Sequence, residues 1–160
     1  MASTIRIPDG VTVGRTIGAV SFSVLLTTSA LARADEGCTA KEAIAADAEA
    51  GTLRSWPAIH ASYLKYAKCD DGSIAEGYGE SISLVLEERW VDLTELQALV
   101  ERDKSFESFV LKHLNESVPA KRLAAIQAHA RERCVPNLSR LCGWIAATIQ
   151  RIQDLYKPKP

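Results

Sequence analysis

The chain has 160 residues, of which 47% are hydrophobic and 24% are charged, and its formal net charge is −1. This length fits one domain with a real core. The near-neutral charge argues against a nucleic-acid-binding protein, which would carry a basic surface, so we expect no nucleic acid among its partners.

The first 32 residues have the layout of a secretory signal peptide. Arg6 and Arg15 give a positive start, residues 16–32 are uncharged, and the run ends in a small-x-small cleavage pattern, Ala-Leu-Ala. The run is shorter and richer in hydroxyl groups than a membrane-spanning helix, which needs about 20 apolar residues. We predict cleavage after Ala32 and a mature domain of residues 33–160. We place this domain in the periplasm and expect no membrane association after cleavage.

Four cysteines follow the leader, at Cys38, Cys69, Cys134 and Cys142. In an exported chain, an even number of cysteines suggests two disulfides. Three pairings are possible. We favour Cys38 with Cys69 and Cys134 with Cys142, although spacing alone does not decide the connectivity. No Cys-x-x-Cys pair is present, which disfavours a metal site built on cysteines.

Apolar residues recur at helical spacing along the mature chain, and no stretch alternates with a period of two. The predicted helices, in chain order, lie at Thr39–Ala50, after Ser55, from Ser73 towards Trp90, after Asp92, near Asp103 or Ser105, after Ser117 and after Leu138. Six or seven helices with short connections predict a compact, single-domain all-α array, stapled by up to two disulfides.

Two local patterns refine this prediction. Asp92 and Glu95 have the spacing of a capping box, which predicts a helix N-terminus at Asp92. Gly77 and Gly79 lie inside the third predicted helix, where each glycine costs up to about 1 kcal/mol relative to alanine. Their presence indicates close packing against a neighbouring helix or a partner that approaches the backbone.

The segment KCDDGSIAEGYGES, residues 68–81, is the best candidate for a functional site. We predict a partner-binding surface formed by five residues: Asp70, Asp71, Glu76, Tyr78 and Glu80. The alternative is that the aspartates only cap a helix, whose exposed acids are solvated. Glu76 and Glu80 also share a helix face, where two carboxylates could act as acid and base. Calcium binding is disfavoured because the usual loop pattern is absent.

Signatures of enzymes and metal sites are scarce. The sequence has neither a phosphate-binding glycine-rich loop nor a G-x-S-x-G elbow. His113 and His129 each have a glutamate three residues later, a spacing that zinc could use. We interpret His113 as a residue at the edge of the core and His129 as part of a solvated pair. His60 has no evident ligand partner. We therefore expect no catalytic residue, no cofactor and no metal.

Four features follow one another along the chain: CDDGSIAEGYGES, LVLEERW, SFESFVLKHLNES and a late cysteine pair. In the order of these features, the chain resembles a group of small exported proteins of Gram-negative bacteria. This group is similar to the helical periplasmic immunity proteins that accompany type VI secretion amidase effectors. The resemblance covers about residues 60 to 150. It implies a protein that binds and blocks a peptidoglycan-cutting toxin, and it supplies no catalytic residue.

The leading hypothesis is a periplasmic, non-enzymatic inhibitor or immunity-type protein whose partner is a secreted peptidoglycan amidase or another cell-wall hydrolase. The first alternative is an envelope structural protein without a dedicated site. The second is a hydrolase that acts on cell-wall polysaccharide through Glu76 and Glu80. The leading hypothesis predicts that charge reversal of these two glutamates weakens partner binding and leaves thermal stability nearly unchanged.

Overall fold

The computed structural model describes residues 37–157, and the predicted signal peptide and its cleavage site lie outside this range. The described range contains seven α-helices and no strand. The helices are α1 (Ala40–Ala50), α2 (Trp56–Tyr66), α3 (Gly72–Glu88), α4 (Leu93–Arg102), α5 (Lys104–Lys112), α6 (Ala120–Glu132) and α7 (Ser139–Leu155). Short 3-10 turns follow α2 and precede α4 and α7. The all-α prediction is therefore confirmed.

Helix α3 lies at the centre of the array. It packs against α1, α2 and α6, while α7 packs mainly on α6 and touches α5 less extensively. One contiguous core joins all seven helices. Its largest fully buried side chains include Trp56 from α2, Tyr78 from α3 and Phe106 from α5. The apolar stripes recognised in the sequence face this core, as helical periodicity requires.

The two disulfides join the favoured pairs. Cys38 is bonded to Cys69, which ties the segment before α1 to the end of the turn after α2. Cys134 is bonded to Cys142, which closes the connection between α6 and α7. No free cysteine is left in residues 37–157. Both crosslinks fix segments that precede a helix.

The start of α1 is a complete capping box. The Thr39 side chain accepts from the Glu42 amide, and the Glu42 carboxylate accepts from the Thr39 amide and hydroxyl. Hydrogen bonds from Thr39, followed by the ion pair with Lys68, lower the pKa of Glu42 to about 2. Helix α4 begins directly after Asp92, as predicted, but the capping box predicted there is wrong. The Asp92 carboxylate accepts from Arg89 Nε at 2.6 Å and makes no cap hydrogen bond.

The two glycines of α3 are explained by close packing. A Cβ at Gly77 would lie 2.9 Å from Ala50 Cβ and 3.0 Å from the Gly51 nitrogen, so α1 ends directly against α3. A Cβ at Gly79 would lie 3.3 Å from the His113 carbonyl oxygen. Ser81 secures the same junction, because its buried hydroxyl donates to the Ala50 carbonyl. Packing within the domain therefore suffices to account for both glycines.

Candidate functional site

The start of α3 gives the two aspartates of the predicted surface different roles. Asp71 is the N-cap residue, and its exposed carboxylate accepts from the Gly72 amide at 2.8 Å. Gly72 follows with φ of +51°, a conformation that favours glycine. Negative charge at this position also suits the helix dipole. Asp71 therefore acts as the helix cap and remains accessible to solvent.

Asp70, by contrast, is turned into the protein. Its side chain is only 7% exposed, and it accepts from His113 Nε2 and from Lys112 Nζ, each at 2.8 Å. The other ring nitrogen of His113 lies 2.7 Å from the Phe109 carbonyl oxygen. The prediction that Asp70 contacts a partner is wrong, since the end of α5 occupies its carboxylate.

Tyr78 also does not belong to the surface. It is fully buried, and its hydroxyl lies 2.8 Å from Ser62 Oγ, while Phe109 and His113 pack edge-on against its ring. Burial raises the pKa of the Tyr78 phenol, so it stays neutral. The prediction of Tyr78 as a contact residue is corrected, because its place in the helical period assigns it to the core.

The two glutamates lie on the exposed side of α3 with different partners. Arg122 of α6 donates to Glu80 Oε2 at 2.6 Å and to Glu87 Oε2 at 3.0 Å. Glu76 is exposed, and no hydrogen bond or ion pair joins it to another residue between 37 and 157. The structure thus divides the acidic segment into one buried ion pair, one helix cap, one interhelical ion pair and one solvated acid.

The different partners of these acids argue against the alternative that the protein is a hydrolase. A general acid and a general base must converge on one substrate. Glu80 is already bound to Arg122, and Asp70 to His113 and Lys112, so neither is poised to move a proton to a ligand. Within residues 37–157, no group of three or more histidine, cysteine or acidic side chains could hold a metal ion.

The remaining histidines have structural partners. His60 Nε2 lies 3.2 Å from Asp103 Oδ2, a partner that the sequence did not reveal. Asp103 caps α5, and hydrogen bonds led by that from Ser105 lower its pKa, which makes it a weak base. His129 packs against Trp90 and lies within hydrogen-bond distance of the Glu87 carbonyl. His129 is thus packed between helices rather than paired with Glu132 in solvent.

A groove between α5 and α7 is a concave surface that the sequence interpretation missed. It has a volume of about 440 Å³ and is lined from one face of each helix. Trp144 lies in it with 39% of its surface exposed, and the Arg140 guanidinium stacks 4.1 Å from its ring centroid. The other two of the three tryptophans are buried in the core. We call this feature the α5–α7 groove.

A buried carboxylate lies beside this pair. Glu107 of α5 is 6% exposed, and its Oε2 atom is 3.6 Å from Arg140 Nη1. Its Oε1 atom is buried and has no hydrogen-bond partner among the described residues. A buried polar atom without a partner costs about 1 to 3 kcal/mol, so such atoms are rare. Glu107 therefore marks the groove as a place where a hydrogen-bond donor would be stabilising.

One sequence signal could have pointed to the groove. The apolar stripe of α7 runs through Leu141, Ile145 and Ile149, and Trp144 falls outside it. A large aromatic residue on the polar face of a helix, four residues after an arginine, calls for a separate explanation. The burial of Glu107 has no such signal, because it depends on how α7 lies against α5.

The fold and these surfaces define a small disulfide-linked all-α domain with a lined interhelical groove. No protein-family model matches the chain, and neither a curated protein nor a solved structure shows significant similarity to it. Across residues 37–157, no helix is both long and apolar enough to cross a bilayer. The resemblance to amidase immunity proteins accordingly stays a prediction.

Proposed function

We propose that this protein is an exported, non-enzymatic binding protein that docks onto another protein through the α5–α7 groove. The observation that carries the proposal is the exposed Trp144 stacked with Arg140 in a concave surface. Tryptophan and arginine are enriched among the residues that dominate binding energy at protein interfaces. Two disulfides are also typical of small domains that work outside the reducing cytosol.

The class of partner comes from the resemblance rather than from the groove. We propose a secreted cell-wall hydrolase, such as a peptidoglycan amidase, as the protein that is bound and inhibited in the periplasm. An inhibitor of this kind needs a stable shape and a contact surface, and no catalytic group of its own. The exposed Trp144 and the internally paired acids Asp70 and Glu80 are compatible with that requirement.

The exposed part of the acidic segment offers a second contact surface. Asp71, Glu76 and Glu80 face solvent along α3, and Glu76 is free to pair with a basic residue of a partner. Such rim charges chiefly affect association rates and their salt dependence. We therefore rank this surface below the α5–α7 groove and include it in the same experiment.

For the test, the full chain is expressed, and the oxidised protein is purified and immobilised as a bait. Secreted and periplasmic fractions are then passed over it. We expect capture of a peptidoglycan hydrolase and inhibition of its activity on purified cell wall. Trp144→Ala should weaken both by about tenfold or more, as expected for a central aromatic contact. Leu64→Ala is the matched control, because Leu64 is an exposed apolar residue of α2 outside the groove.

Each result decides between the surfaces or the functions. Loss of binding with Glu76→Lys and not with Trp144→Ala would transfer the contact to α3. Capture of no hydrolase, with a bait that remains folded, would favour an envelope structural protein. Turnover of purified cell wall by the protein alone would overturn the non-enzymatic proposal.

A further inference from the structure

We infer that the α5–α7 groove accepts an acidic peptide segment of the partner protein. This inference rests on the proposed function and specifies the chemistry of the bound segment. Its basis is a buried carboxylate oxygen without a hydrogen-bond donor, set among three cationic side chains beside an exposed tryptophan.

The charge of the groove selects an acidic ligand. Lys104, Arg140 and Arg151 line it, and Glu107 is the single acid beside them. The whole chain has a formal charge of −1, so this surface is locally basic on a protein that is otherwise nearly neutral. A concave surface in which one sign of charge predominates attracts ligands of the opposite sign. Guanidinium groups also bind carboxylates through paired hydrogen bonds.

The groove has two unmet requirements: the unpartnered oxygen lacks a hydrogen-bond donor, and the cations around it lack anions. Glu107 Oε1 is buried without a hydrogen bond among the described residues, and the 3.6 Å contact of Oε2 with Arg140 is too long to be one. A peptide bond supplies an N–H donor once the Glu107 side chain turns Oε1 towards the groove, while the acidic side chains of the same segment supply the anions. An acidic peptide thus satisfies both requirements of the groove with one ligand.

The shape fits an extended or helical segment. On α5 the lining residues are Lys104, Glu107, Ser108 and Leu111, and on α7 they run from Arg140 to Arg151. These positions form one stripe along each helix, which gives a groove of roughly 10 to 16 Å at 1.5 Å per residue. That length accommodates several peptide residues, and Trp144 provides the apolar surface against which they would pack.

An acidic saccharide is the other class of ligand with both hydroxyl donors and carboxylates. Sugars commonly stack on a free aromatic face, whereas Arg140 already lies over one face of Trp144 at 4.1 Å. A peptide can bind the edge of the guanidinium and leave this stacking in place. The structure therefore favours a peptide, and the experiment includes a saccharide to separate the two classes.

The probe is a fluorescein-labelled peptide of eight residues in which glutamate alternates with alanine and leucine. Fluorescence anisotropy of the peptide is measured as the oxidised protein, expressed from the full chain, is added. Two ligands serve as comparisons: a peptide in which lysine replaces each glutamate, and an oligogalacturonate with the same charge as the acidic peptide. We expect saturable binding of the acidic peptide alone, weakened by salt. Binding of the saccharide with equal or higher affinity, or binding of neither anion, would overturn the inference.

Two kinds of variant locate the binding. Arg140→Ala and Arg151→Ala should each weaken peptide binding by about fivefold to tenfold, as expected for loss of a charge-assisted contact. Lys121→Ala is the control, because Lys121 is an exposed cation of α6 that does not line the groove. An equal effect of Lys121→Ala would indicate nonspecific attraction and contradict the assigned site.

Glu107→Leu tests the role of the buried oxygen. If the groove attracted peptides by charge alone, removal of an acid would tighten binding. Since we assign Oε1 as the acceptor of a peptide N–H, we expect weaker binding instead, with a melting temperature no lower than that of the parent. Tighter or unchanged binding would overturn this assignment.

The inference and the proposed function can fail separately. If a hydrolase is captured through Trp144 and the acidic peptide neither binds nor competes, the inference is wrong and the proposed function stands. If the peptide binds as described and no hydrolase is captured, the proposed function fails, and the inference that the groove binds acidic peptides stands.

Discussion

The hydrogen bond between Asp70 and His113 links the turn before α3 to the end of α5. Desolvation raises the pKa of Asp70, but the hydrogen bonds from His113 and Lys112 outweigh it, so the net pKa of this carboxyl is lowered. A carboxyl with a lowered pKa in the folded state stabilises the fold above its unfolded pKa, which is about 4. That contribution is lost as the pH falls through the folded-state pKa.

Asp70→Ala should lower the free energy of unfolding at pH 7 by about 1 to 3 kcal/mol, because it leaves Nε2 of the buried His113 without its hydrogen-bond partner. The difference from the parent should shrink as the pH falls below the unfolded-state pKa of about 4 and through the lowered folded-state pKa of Asp70. Urea denaturation at pH 7 and at pH 3 measures both quantities. Asp70→Asn keeps an acceptor oxygen and should cost less. Equal losses for the two variants, or a loss that does not depend on pH, would contradict this role.

The glutamates of α3 should differ in their effects on stability, contrary to the expectation from sequence. Glu80→Lys removes an ion pair with Arg122 and places two cations together, which should cost about 1 kcal/mol. Glu76→Lys removes no contact in the described range and should change stability by less than about 0.5 kcal/mol. Thermal melts of the two single variants at low and high salt measure the difference. Identical melts would show that the Arg122 contact is not stabilising.

At the level of elements, α3 lies against the end of α1 with no room for a side chain at Gly77. Gly77→Ala should destabilise by about 1 to 3 kcal/mol, because the added methyl meets backbone atoms of Ala50 and Gly51 that cannot move aside. Gly143→Ala is the matched control. No atom lies within 4 Å of a Cβ at Gly143 in α7, so alanine should stabilise by up to about 1 kcal/mol. Chemical denaturation of both variants should give opposite signs.

Helix positions were predictable from sequence because one apolar stripe per helix faces a shared core. The segment from Ile74 to Leu86 shows this clearly, since its periodicity assigns Tyr78 to the buried face. The capping contacts at helix ends were less predictable than the helix positions. The side chain of Asp92 has two local partners within reach, the start of α4 and Arg89, and the ion pair with Arg89 forms. Sequence spacing alone does not rank these two contacts.

The candidate site was less predictable, because its contacts are distant in the chain. Asp70 meets His113 across 43 residues, and Glu80 meets Arg122 across 42. A local motif contains no information on such pairings, so the acids of one short segment appeared to form one surface. The burial of Glu107 was equally unpredictable from sequence, since it depends on the packing of α7 against α5.

For the whole molecule, the two disulfides should contribute unequally to stability. The loop-entropy relation gives about 4 kcal/mol for Cys38–Cys69, with a separation of 31 residues, and about 2.5 kcal/mol for Cys134–Cys142, with a separation of 8. Paired serine substitutions, Cys38→Ser with Cys69→Ser and Cys134→Ser with Cys142→Ser, test this order by urea denaturation. A larger loss for the second pair would mean that native packing outweighs chain entropy.

The shorter crosslink also has a consequence for the maturation of the protein. Cys142 lies in the first turn of α7 between Arg140 and Trp144, so its bond to Cys134 anchors the two residues on which the proposed docking depends. Where thiols are kept reduced, this bond does not form, and that turn is held by packing alone. In the proposed function, a newly made chain would then bind its partner poorly until oxidation, and formation of this crosslink would set when binding begins.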